Sequence, residues 1–283
     1  MPADLEALVA LLRDRRVAVL TGAGISTESG IPDYRGPQTR HRPRNPIQHR
    51  EFVRDASVRQ RYWARATKGW PRFAAAQPNA GHVAIARLQD SGVVDGLITQ
   101  NVDRLHQAAG SKTLELHGSL HEVGCLACGA RESRDSVHAR MTALNPDFVA
   151  EVLRVAPDGD VDLEDDVVRR FDVAPCRRCG GPLKPYVVFF GGSVPRRVVE
   201  AAYAMVEAAD ALLVVGSSLT VFSGYRFVRR AAEREIPVAI VNLGSTRGDP
   251  HADLRVDASA GAILPALADA LSGRDLAAPA RPG

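Results

Sequence analysis

Val17-Ala-Val-Leu-Thr-Gly22-Ala-Gly24-Ile-Ser-Thr-Glu-Ser-Gly30-Ile-Pro-Asp33-Tyr-Arg35 is the stretch on which the fold turns. Four apolar residues bounded by Arg16 and Thr21 predict a short, fully buried strand. The strand runs straight into Gly22-Ala23-Gly24, where missing β-carbons let backbone N–H groups approach a pyrophosphate. Gly-x-Gly alone is shared by many strand-to-helix turns, and the dinucleotide fingerprint is incomplete: its third glycine would fall at Thr27. The polar run Ser26 to Ser29 and the Asp33-Tyr34-Arg35 triplet carry the loop well past an ordinary phosphate turn. The stretch therefore points to a nucleotide site with added machinery, not to a plain dehydrogenase turn.

The remainder of the chain bounds this reading. At 283 residues it can bury a sizeable core in one large domain or two ordinary ones. A net charge of +3 is too small to make nucleic acid the main partner. No apolar run approaches the roughly 18 residues of a membrane span. Met1-Pro-Ala-Asp-Leu-Glu resembles neither a signal nor a transit peptide, so a cytoplasmic protein is expected.

Read in order, the pattern alternates strands and helices. An amphipathic helix, Asp4 to Arg13, leads into the first strand. Gly36 to His49 reads as loop, with short helices at Glu51–Arg54 and Val58–Thr67 ending near Gly69-Trp70-Pro71. Asn79 caps a better helix, closed by Gly92. Strand Val93–Thr99 opens helix Val102–Ala109, and strand-like Thr113–Leu116 delivers His117-Gly118. After the cysteine-bearing region, strand Lys184–Phe190, helix Arg196–Ala209, strand Ala211–Val215, helix Ser223–Glu235 and strand Pro237–Asn242 form βαβ units. The expected fold is α/β: a Rossmann-like, doubly wound parallel sheet from 1–35, 79–118 and 185–283. It is interrupted by a smaller domain made of a helical insertion, 36–78, and a zinc-binding module, 119–184, and it ends in a disordered tail, 277–283.

The four cysteines form two pairs, Cys125-x2-Cys128 and Cys176-x2-Cys179, each followed by glycine. Such knuckles turn four thiolates towards one tetrahedral Zn2+, with glycine accepting the turn and N–H groups aimed at sulfur. Four sulfurs leave no open position, so the ion would be structural. Redox dithiols are the alternative. The 47 residues between the pairs, Gly129 to Pro175, exceed a compact ribbon spacing.

Gly22-Ala-Gly-Ile-Ser, Gly30-Ile-Pro-Asp-Tyr-Arg, Thr99-Gln-Asn-Val-Asp, Leu116-His-Gly, the cysteine pairs, Val188-Phe-Phe-Gly, Gly216-Ser-Ser-Leu and Val241-Asn-Leu-Gly follow the order seen in sirtuins. The resemblance covers nearly the whole chain. Thr27-Glu28, Pro46-Ile-Gln-His, Arg59-Gln-Arg-Tyr-Trp-Ala-Arg and Ser223-Gly-Tyr-Arg-Phe look like class II members. It implies an NAD-dependent protein lysine deacylase that consumes NAD as a co-substrate, carries one structural Zn2+ and acts as a monomer on acyl-lysine proteins or peptides.

Three sets of small residues at strand ends sit where open α/β sheets bind ligands: Gly22 to Ile25, Gly216-Ser217-Ser218 and Asn242-Leu243-Gly244. The resemblance assigns them to the phosphates, ribose and adenine, adds Ala260 beside adenine, and includes Glu28. It places Gln100, Asn101, Val102 and Asp103 around nicotinamide and its ribose, although helix capping explains Asn101 and Asp103 equally. Asp33, Tyr34 and Arg35 would close over the cofactor. His117 is the expected base, with a pKa range suited to neutral pH, and Asn101 would place a water. A histidine after a strand is more often structural. Val187, Val188, Phe189, Phe190 and Gly191 offer an edge for an extended peptide, opposite Leu219 to Ser223.

Tyr62 and Arg65, three residues apart on one helix face, resemble the pair of acid-removing sirtuins, and an Arg in an apolar pocket would favour a carboxylate-ended acyl chain. A solvated Arg65 is the bland alternative. Acidic or longer acyl groups are thus expected over acetyl. A protein ADP-ribosyltransferase and a non-catalytic NAD-sensing module remain the competing readings.

Overall fold

A computed structural model of the chain describes residues 2–34, 47–148, 154–155, 161–162 and 168–273. Arg35, the first part of the expected helical insertion through Pro46, residues 149–153, 156–160 and 163–167 between the cysteine pairs and the tail at 277–283 lie outside the described residues.

The chain begins with α1 (Ala3–Leu12) and β1 (Val17–Thr21), followed by a 3₁₀ helix, Ala23–Ser29. Next come α2 (His49–Arg54), α3 (Ala56–Ala74), α4 (Ala80–Asp90), β2 (Val94–Thr99), α5 (Leu105–Ala108) and β3 (Leu114–Glu115). The middle holds β4 (Gly118–Cys125), β5 (Arg131–Ser133), α6 (Arg134–Leu144), the pair β6 (Arg154–Val155) and β7 (Val161–Asp162), and β8 (Leu183–Val187). The last part alternates α7 (Arg196–Glu207), β9 (Ala211–Val215), α8 (Phe222–Glu233), β10 (Val238–Val241), β11 (Leu254–Val256) and α9 (Ala260–Ser272).

Six parallel strands form one sheet in the order β11-β10-β9-β1-β2-β3. Alternation along β1 shows why its run is continuously apolar: Val17 and Val19 join the core beneath α1, α4 and α9, while Ala18 and Leu20 join the core beneath α7 and α8. The sheet is covered on both faces, as a doubly wound architecture requires.

A smaller antiparallel sheet, β5-β4-β8, shares one core with α2, α3 and α6, built on Phe52, Tyr62, Trp63, Val137, Met141 and Phe171. The Trp63 indole N–H donates to the Leu183 carbonyl at 3.1 Å, joining α3 to β8. The Arg134 guanidinium lies over the rings of Trp63 and Trp70 and donates to the Ala66 carbonyl at 2.8 Å. A buried cation in this position explains why the apolar pattern of α6 is weak and why no helix is expected there from sequence. Among the described residues no helix is long and apolar enough to cross a membrane.

Three further elements differ from the sequence reading. The polar run after Gly24 folds into a 3₁₀ helix, closed by Gly30 with φ 81°. α3 continues through Gly69-Trp70-Pro71 to Ala74, because burial of Trp70 and Phe73 outweighs the hydrogen bond that Pro71 removes. The helix expected from Val102 starts only at Leu105, after Arg104 adopts φ 61°.

Gly118 has the tightest backbone requirement. Its φ is +78°, and a β-carbon there would lie 2.1 Å from the Tyr186 carbonyl oxygen. This closeness lets the Val188 N–H donate to the His117 carbonyl at 2.9 Å. Gly118→Ala is expected to lower stability by about 2 kcal/mol or more, through strain and the forced separation of β4 from β8. Urea unfolding measures it; an unchanged midpoint would contradict this packing.

Candidate active site

A cavity of about 650 Å³ opens where the carboxyl ends of β1, β2, β9 and β10 meet the edge of β8. The loops forming it are fastened to each other directly. The Gly24 N–H donates to the Gly216 carbonyl at 2.8 Å, and a β-carbon on Gly24 would stand 2.8 Å from the Gly216 Cα. A β-carbon on Gly22 would meet Ser217 Cβ at 2.7 Å. The glycines expected to admit a pyrophosphate are thus also required by the contact between two strand-end loops.

A buried polar cluster ties in the third strand end. Both protons of the Asn101 amide are donated, to the Gly22 carbonyl at 3.1 Å and to Ser26 Oγ at 3.0 Å. Ser26 donates onward to Asp103 Oδ2 at 2.7 Å, and Asp103 Oδ1 accepts the Leu105 N–H at 3.0 Å. The Gln100 amide donates to Ser217 Oγ at 2.8 Å and to the Thr21 carbonyl at 3.2 Å.

His117 stands at the centre. Its Nδ1 lies 2.9 Å from the Gln100 carbonyl, which can only accept, so Nδ1 carries the N–H. Nε2 is then the lone-pair nitrogen, and the Ser223 hydroxyl donates to it at 2.8 Å. Burial lowers the His117 pKa, with the Gln100 carbonyl opposing, so the ring is a neutral base at pH 7.

Most of the expected cofactor residues line this cavity. Gly22, Ala23 and Gly24 do so from β1, Gln100, Asn101, Val102 and Asp103 from β2, and Asp33 and Tyr34 from the loop beyond the 3₁₀ helix. Gly216, Ser217 and Ser218, with Asn242, Leu243 and Ala260, complete the wall. Ile25, Glu28 and Gly244 are not among the lining residues. Ile25 is buried in the core beneath α1, and the Glu28 carboxylate packs where a β-carbon on Gly261 would be, 1.8 Å from Oε2. Gly244 forms a turn whose carbonyl accepts from the Asn242 amide at 3.0 Å. Of the residues expected to hold the substrate, Val187, Val188, Phe189, Phe190 and Gly191 line the cavity, as does Tyr62. Arg65, half-buried, does not.

The Sir2 family model matches residues 22–223. The chain belongs to the Sir2 family, the sirtuins. It is 54% identical to an NAD-dependent protein deacetylase of Mycobacterium avium over 94% of this chain and 95% of that one. It is 51% identical to the mitochondrial NAD-dependent protein lipoamidase sirtuin-4 of Bos taurus, over 89% and 82%. A solved Sir2 structure with a p53 peptide and NAD+ matches at TM-score 0.76 and 29% identity, over 94% of this chain and 97% of the other.

The sirtuin's four cysteines converge, their sulfurs all within 4.8 Å of one another. Cys125 and Cys179 sulfurs are 3.5 Å apart and those of Cys128 and Cys176 3.8 Å. Ligands about 2.3 Å from a tetrahedral zinc stand roughly 3.8 Å from each other, so the set fits Zn2+. The glycines do accept the turns, Gly129 with φ 70° and Gly180 with φ 73°. The N–H groups that reach sulfur, however, come from Ala127 and Arg178, each at 3.4 Å. The glycine N–H groups donate instead to the Cys125 and Cys176 carbonyls.

Sequence reasoning missed two features of this sirtuin site. Ser223 belongs to a quoted motif, yet nothing in its local sequence pairs it with His117. Behind Asn101 lies a buried histidine pair, His82 and His106, with ring centroids 4.8 Å apart. His106 Nε2 donates to Thr21 Oγ1 at 3.0 Å, and Thr21 donates to Thr99 Oγ1, which also accepts the Asn101 N–H. Burial lowers the pKa of His82 to about 4 and of His106 to about 3. Unfolding would restore ordinary values near 6.5, so the unfolded chain binds more protons below that pH. Stability is therefore expected to be level above about pH 7 and to fall as pH drops from 6.5 towards 4. Urea unfolding at stepped pH measures this; a flat profile from pH 7 to 5 would contradict a buried neutral pair.

Proposed function

We propose that this chain removes acyl groups longer than acetyl from protein lysine side chains. Its reaction class follows from its family: the chain is an NAD-dependent protein lysine deacylase. The observation that supports the finer reading is the apolar wall of the cavity. Ile31, Leu120 and Val187 line it and belong to one buried cluster with Trp70 and Phe73. Tyr62 and Phe189 line it from a second cluster, their rings 5.6 Å apart and both packed on Phe52. A wall of this kind rewards added methylenes. Arg65, on which a preference for a carboxylate-ended acyl chain would rest, is not among the described residues that line that wall.

NAD supplies the electrophilic ribosyl carbon that takes up the acyl oxygen as nicotinamide leaves. The chain's own residues do the rest. The Gln100 carbonyl keeps His117 in the tautomer whose Nε2 can accept a proton from a ribose hydroxyl, and burial keeps that nitrogen unprotonated at neutral pH. Asn101 and Asp103, locked through Ser26, hold the nicotinamide end of the cavity in one shape before the substrate arrives. The peptide backbone runs along the Val187–Gly191 edge, with Leu219–Ser223 lining the cavity opposite it.

The test is kcat/KM on one peptide bearing lysine acylated by straight chains of increasing length. Each methylene that reaches the wall is expected to raise kcat/KM about three- to fourfold until the wall is filled. Arg65→Ala is expected to leave the order unchanged. A preference for succinyl or glutaryl lysine that disappears in Arg65→Ala would overturn this reading.

A further inference from the structure

The lone pair of His117 Nε2, the atom that must accept a proton, is already engaged. Gln100 fixes the N–H on Nδ1, so Nε2 offers a single acceptor site, and the Ser223 hydroxyl fills it at 2.8 Å. A substrate hydroxyl entering the cavity has two routes to that nitrogen. It can push the serine aside, or it can pass its proton through the serine.

The packing favours the second route. Ser223 lies in the first turn of α8, and the next residue, Gly224, is pressed against the Gln100 side chain: a β-carbon there would stand 2.3 Å from Gln100 Oε1. Gln100 therefore holds both partners, His117 through its carbonyl and the start of α8 through its side chain. Gln100 is itself fixed by its bonds to Ser217 and to the Thr21 carbonyl. The spacing between Ser223 Oγ and Nε2 is thus set by one rigid residue. Ser223 also lines the cavity while its hydroxyl bonds the histidine.

We infer that Ser223 is a further catalytic residue, relaying the proton of the ribose hydroxyl to His117. This rests on the deacylase reading, with His117 as base. In the step, the ribose O–H bond breaks and its proton goes to Ser223 Oγ. The Ser223 O–H bond breaks in concert and that proton goes to Nε2. The serine ends neutral and the histidine ends as imidazolium. The ribose oxygen keeps the electron pair with which it attacks the acyl carbon. Among the described residues, Asp33, Asp103 and Arg226 are the other charged side chains lining the cavity, and none is needed as a proton carrier.

The experiment is single-turnover deacylation of an acyl-lysine peptide with NAD by wild type, Ser223→Ala, Ser223→Thr and His117→Ala, and by the Ser223→Ala/His117→Ala pair. The wild type and Ser223→Ala are also run in mixtures of H2O and D2O. Ser223→Ala is expected to slow deacylation about tenfold or more, and Ser223→Thr to restore it to within about threefold. The wild-type proton inventory is expected to be curved, with two protons in flight, and that of Ser223→Ala linear. Removing the serine from the His117→Ala background is expected to change nothing further. If the alanine variant proves unstable, Ser223→Cys, which keeps the volume but weakens proton transfer, replaces it in the same comparisons.

Wild-type speed in Ser223→Ala would overturn the relay. So would faster turnover with a lower KM for NAD, which marks a serine that only blocks Nε2. An equal loss in the wild-type and His117→Ala backgrounds would show a packing role and overturn it as well. A wild-type enzyme that deacylates no peptide would instead defeat the deacylase reading itself.

Discussion

Two backbones touch at the heart of this molecule. Gly24 and Gly216, at the ends of β1 and β9, approach so closely that neither tolerates a β-carbon, and a hydrogen bond joins them. That contact fixes the distance between two of the loops that wall the cavity. The Asn101–Ser26–Asp103 cluster then ties the end of β2 to the same 3₁₀ turn. Because every donor in this cluster has an acceptor, the cavity wall is stiff before any ligand enters, which is the condition for stabilising one transition state over others.

The smaller module serves the same centre from the other side. β4 starts immediately after His117 and ends at Cys125, a member of the zinc set, while β8 runs from just beyond Cys179 to Val187 on the peptide edge. A metal that locks the far ends of these two strands holds their register. Register, through Gly118 against Tyr186 and Val188 against His117, sets where the histidine and the peptide edge stand. A zinc held by these cysteines would act on the site through this one pair of strands, away from the cavity.

Much of this was legible in the chain. Strands such as Val17–Thr21 and Ala211–Val215 announce themselves because both faces of a doubly wound sheet demand apolar residues. The cysteine knuckles and the strand-end clusters were legible because their chemistry depends on short spacing. What escaped depends on partners far along the chain. The opening glycines read as room for a phosphate, yet they also answer to Gly216 and Ser217. Glu28 and Ile25 carry the motif's signature but turn away from the cavity, towards α9 and the core. The pairing of Tyr62 with Arg65 on one face was a sound helical inference, but a face does not say which space it borders: Tyr62 is among the described residues lining the cavity and Arg65 is not. Ser223 has no local signal at all, since its partner is brought to it by the sheet.

At the centre of this account, a rigid cavity spends NAD as a reactant, with His117 and its neighbours directing the acyl group onto the ribose. Quantifying all products of one reaction between an acyl-lysine peptide and NAD tests that most directly. Free lysine peptide, nicotinamide and O-acyl-ADP-ribose are predicted in equal amounts. Nicotinamide without the acyl product, with ADP-ribose found on protein, or NAD bound with no nicotinamide released, would contradict it.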